Sequence, residues 1–381
     1  MAGIYIHIPF CRQACHYCNF HFSTSLQRQP EMVEALCEEI RIRKDELTGE
    51  CIETIYFGGG TPSLLKANEL EQIMQKLHAF HSIAANPEIT LEANPDDVNG
   101  ERLSFWRALG VNRLSIGVQS LFNEDLRWMN RVHTAAEAER VINTARKASF
   151  EHFSVDLIYG IPTLTDEKWL QNLAWVVQEG VDHISCYALT VEPRTALHHK
   201  IAQKHLEEVD PEQQHRHFNM LLAFAEKHGY EQYEISNFAK SGHRSKHNTS
   251  YWLGKPYLGI GPGAHSFDGK SRQWNVSNNI KYIDAIKNGV IPCETELLTT
   301  VQQLNEYIMT SLRMSEGCNV SFVEERFGKK VAAHLLASAK ALKKNGVIDI
   351  KEASLVLTHS GKWYADGIAA KLFFEEGSID M

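Results

Sequence analysis

Short apolar runs alternate with stretches whose apolar side chains recur every three or four positions, and this alternation dominates the first half of the chain. Residues 3–8 alternate apolar with small or polar groups and predict a strand, which Pro9 ends. Pro30 opens a helix with Val33, Leu36, Cys37 and Ile40 on one face. Residues 53–57 predict a second strand running into Gly58-Gly59-Gly60-Thr61-Pro62, and a helix carrying Leu70, Ile73, Met74 and Leu77 follows. Strands at 88–92, 112–118, 152–158 and 182–189 come next, with helices at about 99–109, 135–147 and 166–179 between them. Thr134-Ala135-Ala136-Glu137 is a capping box, and Asp210-Pro211 starts a helix that runs to Gly229.

Six such alternations predict an α/β fold with a parallel sheet and crossover helices. Polar residues crowd the C-terminal ends of the strands, the face at which α/β sheets and barrels bind ligands. One site ringed by the loops after the first five strands is therefore expected. Beyond residue 190 the pattern changes. Residues 230–275 are rich in Gly, Ser, His and aromatics with little periodicity, and long irregular segments are often functional. From about 299 the order is three helices and a short hairpin at 347–357, the order of a winged helix or of a small helical lid. The acidic pair Glu375-Glu376 speaks against DNA binding there. The expected division is 1–230 for the sheet domain, 231–298 for a connecting segment and 299–381 for a C-terminal, mainly helical domain.

The chain has 381 residues, 43% of them hydrophobic, enough for a large core. Its net charge of −8 excludes a broad basic face for nucleic acid. Of eight cysteines, Cys37, Cys51, Cys186, Cys293 and Cys318 are scattered in apolar contexts and are expected to be small core residues. With no disulfide framework, a reducing cytoplasm fits. No apolar run approaches the roughly 20 residues of a membrane span, and the N-terminus has no basic leader.

The remaining cysteines, Cys11, Cys15 and Cys18, form C-x3-C-x2-C. A structural zinc site normally takes four ligands as two separated pairs, and no second CxxC pair follows. Three close thiolates suit a [4Fe-4S] cubane, leaving one of its irons without a protein ligand; the plainer alternative is three buried cysteines that lie close together. The motif, with Tyr17 before its last Cys, resembles the cluster loop of radical S-adenosylmethionine (SAM) proteins. The lead-in Tyr5-Ile6-His7-Ile8-Pro9-Phe10 resembles the oxygen-independent coproporphyrinogen III oxidases and their relatives, the HemW-type heme chaperones. The resemblance implies a partial (β/α)6 TIM-like barrel, and SAM chelating the open iron through its amino and carboxylate groups. An electron from the cluster can then cleave SAM. Tyr17 and Phe20 are expected to shield the cluster from water.

The glycines before Thr61 let backbone pass close to a ligand, or make a plain strand-to-helix turn. The resemblance implies that Gly59, Gly60 and Thr61 meet the SAM amino group. It further implies SAM contacts at Tyr5, Glu92, Gln119, Arg131 and Asp156. Carboxylates suit the cationic and hydroxyl parts of SAM, and Arg suits its carboxylate. His247-Asn248-Thr249-Ser250-Tyr251-Trp252 matches the HNxxYW motif of the HemW-type proteins. Unaided, these residues read as a buried His in a hydrogen-bonded turn with two core aromatics. The resemblance implies heme contact by His247, Asn248, Tyr251 and Trp252, with His247 as candidate iron ligand.

Two departures separate the chain from the oxidases. They carry a fourth Cys where Phe20 stands, and an extension before the cluster loop, whereas here the first motif Cys is residue 11. Both favour a cytoplasmic heme chaperone that passes heme to acceptor proteins, some of them membrane-associated. A radical SAM enzyme acting on a porphyrin, fed by an electron donor, is the alternative. A radical enzyme on an RNA or peptide substrate is a third reading.

Overall fold

The computed structural model describes residues 2–150, 152–375 and 377. All six expected strands are present: β1 Ala2–Ile8, β2 Ile52–Gly59, β3 Ile83–Ala93, β4 Arg113–Gln119, β5 His152–Tyr159 and β6 His183–Ala188. Helices α1 Gln29–Ile42, α2 Ala67–Phe80, α3 Gly100–Ala108, α4 Asn123–Trp128, α5 Ala135–Lys147 and α6 Asp166–Gln178 lie between them, and α7 Ala196–Ala202 and α8 Pro211–Lys227 follow. The helix starts are those the side chains dictate. Thr134 and Glu137 cap each other's backbone N–H, and Asp210 accepts from the Glu212 N–H.

Strands β1 to β6 pair in order and in parallel. The segment read as irregular extends this sheet at both ends. Beyond β6, β8 Asn237–Ala239 and β7 Glu231–Gln232 add antiparallel. On the other side β9 Tyr257–Ile260 pairs parallel with β1. Strands β10 His265–Phe267, β11 Ser271–Asn275 and β12 Cys293–Leu297 continue it antiparallel. With β12 and β7 at opposite ends, the sheet remains an open barrel. Helices α9 Lys246–Trp252 and α10 Asn279–Lys287 belong to the same region.

Period-two alternation sorts the side chains. Ile4, Ile6 and Ile8 are fully buried in the core shared with the helices. Gly3, Tyr5 and His7 share the other face and register with Thr54, Tyr56 and Gly58 of β2. That inner face carries small and polar groups across the sheet, and the site is built on it.

One buried ion pair ties α1 to the late strands. Glu39 and Arg43 are 0% and 2% exposed and lie 3.1 Å apart. Glu39 also accepts from Asn275 Nδ2 at 2.7 Å, the Gly261 N–H at 2.8 Å and the Tyr282 hydroxyl. Arg43 donates to Gly259 O and Gln273 Oε1, both at 2.9 Å. Every charge and lone pair that burial would strand has a partner.

The C-terminal part has its own core around Leu304, Ile308, Leu335 and Leu355. It contains α11 Thr300–Arg313, β13 Cys318–Asn319, α12 Val320–Phe327, α13 Lys329–Lys344, β14 Ile348–Lys351 and β15 Ser354–Leu357, the strands ordered β13–β15–β14. This is the three-helix-plus-hairpin order read from the sequence. Two short helices, α14 His359–Lys362 and α15 Ala365–Ala370, were not foreseen. Glu376 of the acidic pair, and residues 378–381, lie outside the described residues. Cys37, Cys186 and Cys318 are buried as expected, but Cys51, just before β2, is exposed, and Cys293, on the edge strand β12, is half-buried. Among the described residues no helix is long and apolar enough to cross a membrane.

Removing one member of a buried pair leaves the other charge uncompensated. Arg43→Ala is expected to lower stability by about 3–5 kcal/mol, read as a fall in the urea midpoint with the slope unchanged.

Candidate cofactor site at the strand ends

The cysteine loop leaves β1 at Pro9 and is pinned on several sides. The Ser23 N–H donates to Pro9 O at 2.9 Å, and the Cys11 N–H to Ser23 O at 3.0 Å. The loop after α4 holds the far side: the His16 N–H donates to Met129 O at 3.0 Å and Asn130 Nδ2 to Ala14 O at 2.7 Å. Arg12 reaches Asp96 and Asp97, both at 2.7 Å. His16 bonds through Nδ1 to Trp128 O at 2.8 Å, so that nitrogen serves the loop's docking.

Gly60 is required by this docking. A Cβ there would stand 2.6 Å from Phe10 O and 2.7 Å from Ile8 O, so any side chain would lift the loop off β2. Gly59 adopts φ +103° with the His7 ring against it.

The thiols of Cys11, Cys15 and Cys18 are half-buried and free. Burial raises the Cys11 thiol and pushes Cys18 up to about 11, and each feels the neighbouring thiols. Thr61 Oγ1 donates to Cys11 Sγ at 3.5 Å, and Arg131 Nη1 to Cys15 Sγ at 3.5 Å. Among the described residues no three His, Cys, Asp or Glu side chains converge on a single ion's position. A cubane asks for something else, one sulfur on each of three irons, and three separate thiols on one loop suit it. Phe20 does not shield them. It is 65% exposed, with its ring in solvent rather than over the thiols.

The strand ends bring the remaining residues to the same place. Glu92, on β3, accepts from the Tyr56 hydroxyl at 2.8 Å and the Gly59 N–H at 3.2 Å, and burial pushes its carboxyl up to about 8. Asp156, on β5, accepts from Ser115 Oγ at 3.1 Å and Ser154 Oγ at 3.4 Å. Burial holds it at about 6 despite those donors. Gln119 ends β4 at φ +64°, where the register with β5 slips, and is buried. Such a left-handed non-glycine residue costs of order 1–3 kcal/mol and is typical of functional sites. Arg131 Nη2 donates to Asn94 Oδ1 at 2.7 Å and Gly117 O at 3.0 Å, while its buried Nε has no partner. Tyr17 lies beside Arg131 and the thiols of Cys15 and Cys18, and burial raises its hydroxyl. Tyr5 contacts His7 Nδ1 at 3.3 Å and stacks on Tyr56. A buried cation, two reluctant carboxyls and three thiols thus share one cavity mouth, an arrangement suited to a zwitterionic, cationic ligand.

The HNxxYW residues lie at the other end. His247 is 1% exposed on α9, beneath the N-terminal ends of β1 to β3. Its Nδ1 meets Thr54 Oγ1 at 2.7 Å, its Nε2 meets the Tyr251 hydroxyl at 2.9 Å, and burial pushes it down to about 3. Both ring nitrogens have hydroxyl partners within the protein, so iron could reach Nε2 only by displacing the Tyr251 hydroxyl. The Asn248 N–H bonds the helix cap Ser245, and Trp252 lies under the Arg313 guanidinium of α11 at 5.0 Å. Glu88 accepts the N–H groups of Lys246 and His247 at 3.1 and 2.9 Å, fixing the helix start.

Sequence reading missed the residue that links the two ends. Tyr56 stacks on His247 at 4.9 Å while its hydroxyl holds Glu92. The signal was present: it stands two positions from Thr54 and two from Gly58, on the same face of β2. Also missed was a buried chain in which Ser154 Oγ meets His183 Nδ1 at 2.7 Å and His183 Nε2 meets the Tyr233 hydroxyl at 2.8 Å.

Residues 5–176 match the radical SAM superfamily profile, and residues 298–364 match that of the HemN C-terminal domain. The chain is 35% identical over 367 residues to the heme chaperone HemW of Bacillus subtilis, covering 95% of this chain and 96% of that protein. It is 31% identical to the HemW of Mycobacterium tuberculosis, over 97% of this chain and 94% of the other. The coproporphyrinogen III oxidase HemN of Escherichia coli, a radical SAM enzyme, shares the fold with a TM-score of 0.84 at 24% identity, covering 98% of this chain and 90% of that one.

Glu92 gives a pH prediction. Its carboxyl is lifted from 4.5 to about 8, so between those values the folded chain keeps a proton that the unfolded chain has released. Stability therefore falls as pH rises through that window. In metal-free protein, Glu92→Gln is expected to flatten this part of the profile and to be more stable than wild type at pH 8, measured by urea unfolding at pH 5 and pH 8. An unchanged slope would refute the assignment.

Proposed function

The chain belongs to the HemW family of heme chaperones within the radical SAM superfamily, and on that footing we propose that it binds a [4Fe-4S] cluster, SAM and heme and transfers heme to acceptor proteins. The observation that carries this reading is the trio Cys11, Cys15 and Cys18, seated beside Thr61 and Arg131 at the mouth that Glu92 and Asp156 line. When bound, the cluster supplies an iron open to SAM and a reducing electron.

The chain's own residues do the rest. Glu92 and the backbone at Gly59 and Gly60 would receive the ammonium of SAM, with Thr61 alongside. Arg131, with its unpaired Nε, would face the carboxylate. Gln119 and Asp156 would take the ribose hydroxyls, and Tyr5 and Tyr17 would close the sides. A cationic ligand favours the ionised forms of Glu92 and Asp156, so its arrival draws off the protons that burial leaves on them.

Delivery is favoured over porphyrinogen decarboxylation by Phe20, an exposed phenyl where the oxidases carry a further Cys. The intact set of strand-end residues supports the second reading, a radical SAM enzyme acting on a porphyrin with a separate electron donor. The cytoplasm suits free thiols of this kind, and the heme acceptor can be membrane-associated without this chain having a span of its own.

Anaerobically reconstituted protein is expected to hold iron and sulfide, and to lose both when Cys11, Cys15 and Cys18 become Ser. The same preparation should titrate with heme to a saturable Soret band. Given SAM, reductant and coproporphyrinogen it should release no carbon dioxide; release would establish the enzyme reading in place of the chaperone. His247→Ala is expected to lower the unfolding temperature and leave the Soret titration intact, because Thr54 and Tyr251 already hold the ring. A lost Soret band in a folded variant, or tighter heme in Tyr251→Phe, would put iron on Nε2.

A further inference from the structure

Two of the three sulfurs have a side-chain hydrogen-bond donor aimed at them, and the two donors differ. Cys11 Sγ receives the Thr61 hydroxyl at 3.5 Å and Cys15 Sγ the Arg131 guanidinium at 3.5 Å. We propose that Thr61 and Arg131 set the reduction potential of the cluster, by donating hydrogen bonds to two of its sulfur ligands. This rests on the reading that the three cysteines carry a cluster.

Hydrogen bonds to cysteine sulfurs withdraw electron density and stabilise the more negative, reduced cluster, which raises its potential. Arg131 adds a full positive charge, little screened where water is excluded. Neither donor is free to wander. Arg131 is clamped by Asn94 Oδ1 at 2.7 Å and Gly117 O at 3.0 Å, which aims Nη1 at Cys15. Thr61 is 5% exposed and fixed between Gly60, packed beneath Phe10 O, and the turn that its own carbonyl closes with the Leu64 N–H at 3.0 Å. Both donors are thus held in place by protein groups, which limits reorganisation on reduction.

The test is an EPR-monitored redox titration of reconstituted protein without SAM. Thr61→Val keeps the shape and removes the donor, so its midpoint should move to more negative potential, whereas Thr61→Ser should titrate like wild type. Arg131→Met should move further in the same direction than Thr61→Val, since it loses charge as well as the bond. Resonance Raman should place the Fe–S(Cys) stretch of Thr61→Val above that of Thr61→Ser. The Thr61 pair decides the matter alone if Arg131→Met fails to hold iron. Wild-type midpoints and stretches at full iron and sulfide content would overturn the proposal. A wild-type chain that takes up no iron would instead overturn the cluster reading, and the two failures are told apart by the metal analysis.

Discussion

One guanidinium joins the pieces on which the site depends. Arg131 touches the cysteine loop through Cys15, the end of β3 through Asn94 and the backbone of β4 through Gly117. Sheet pairing already sets the end of β3 beside β4, and Arg12 ties the cysteine loop to Asp96 and Asp97; Arg131 is the charge that touches all three at once. The same charge stands among carboxyls that burial keeps partly protonated, so the mouth holds a cation, two latent anions and three thiols at modest electrostatic cost. A ligand bearing both signs completes that balance; one of a single sign does not.

Much of this was legible because the relevant rules are local. Alternation gave the six parallel strands, the Thr134–Glu137 box gave a helix start, and the cysteine spacing pointed away from a structural zinc site. Glu92, Gln119 and Asp156 could be read as polar strand ends. Arg131, off any strand, came from resemblance alone. What failed to show was non-local. Strand β9 reads as a Gly-rich loop, since four residues carry no period and its partner is β1, some 250 positions earlier. Helices α4 and α7, six and seven residues long, are too short for a stripe. The HNxxYW motif was visible but its place was not. Nothing near His247 in sequence announces that Thr54 from β2 will take one of its nitrogens.

The barrel's two ends have opposite characters. At the C-terminal ends of the strands, polar atoms are left with capacity to spare: the unpaired Nε of Arg131 and carboxyls held above their usual range. At the N-terminal ends, Glu88 holds the start of α9, and Thr54 and Tyr251 take both ring nitrogens of His247, though Thr249 Oγ1 stays without a partner. Tyr56 spans the two, stacked on the closed end and bonded to the open one.

The pairing of β1 with β9 bears on how the protein is made. Gly3 lies opposite Tyr257, so β1 must wait for a strand made about 250 residues after it. At about 5–20 residues per second, that is roughly ten to fifty seconds of translation. Through that interval one flank of β1 has no backbone partner, and Glu39 and Arg43 lack the Asn275 and Gly259 groups that later surround them. The N-terminal half cannot mature as an autonomous unit, and nascent chains are most prone to aggregate in the window before residue 260 emerges.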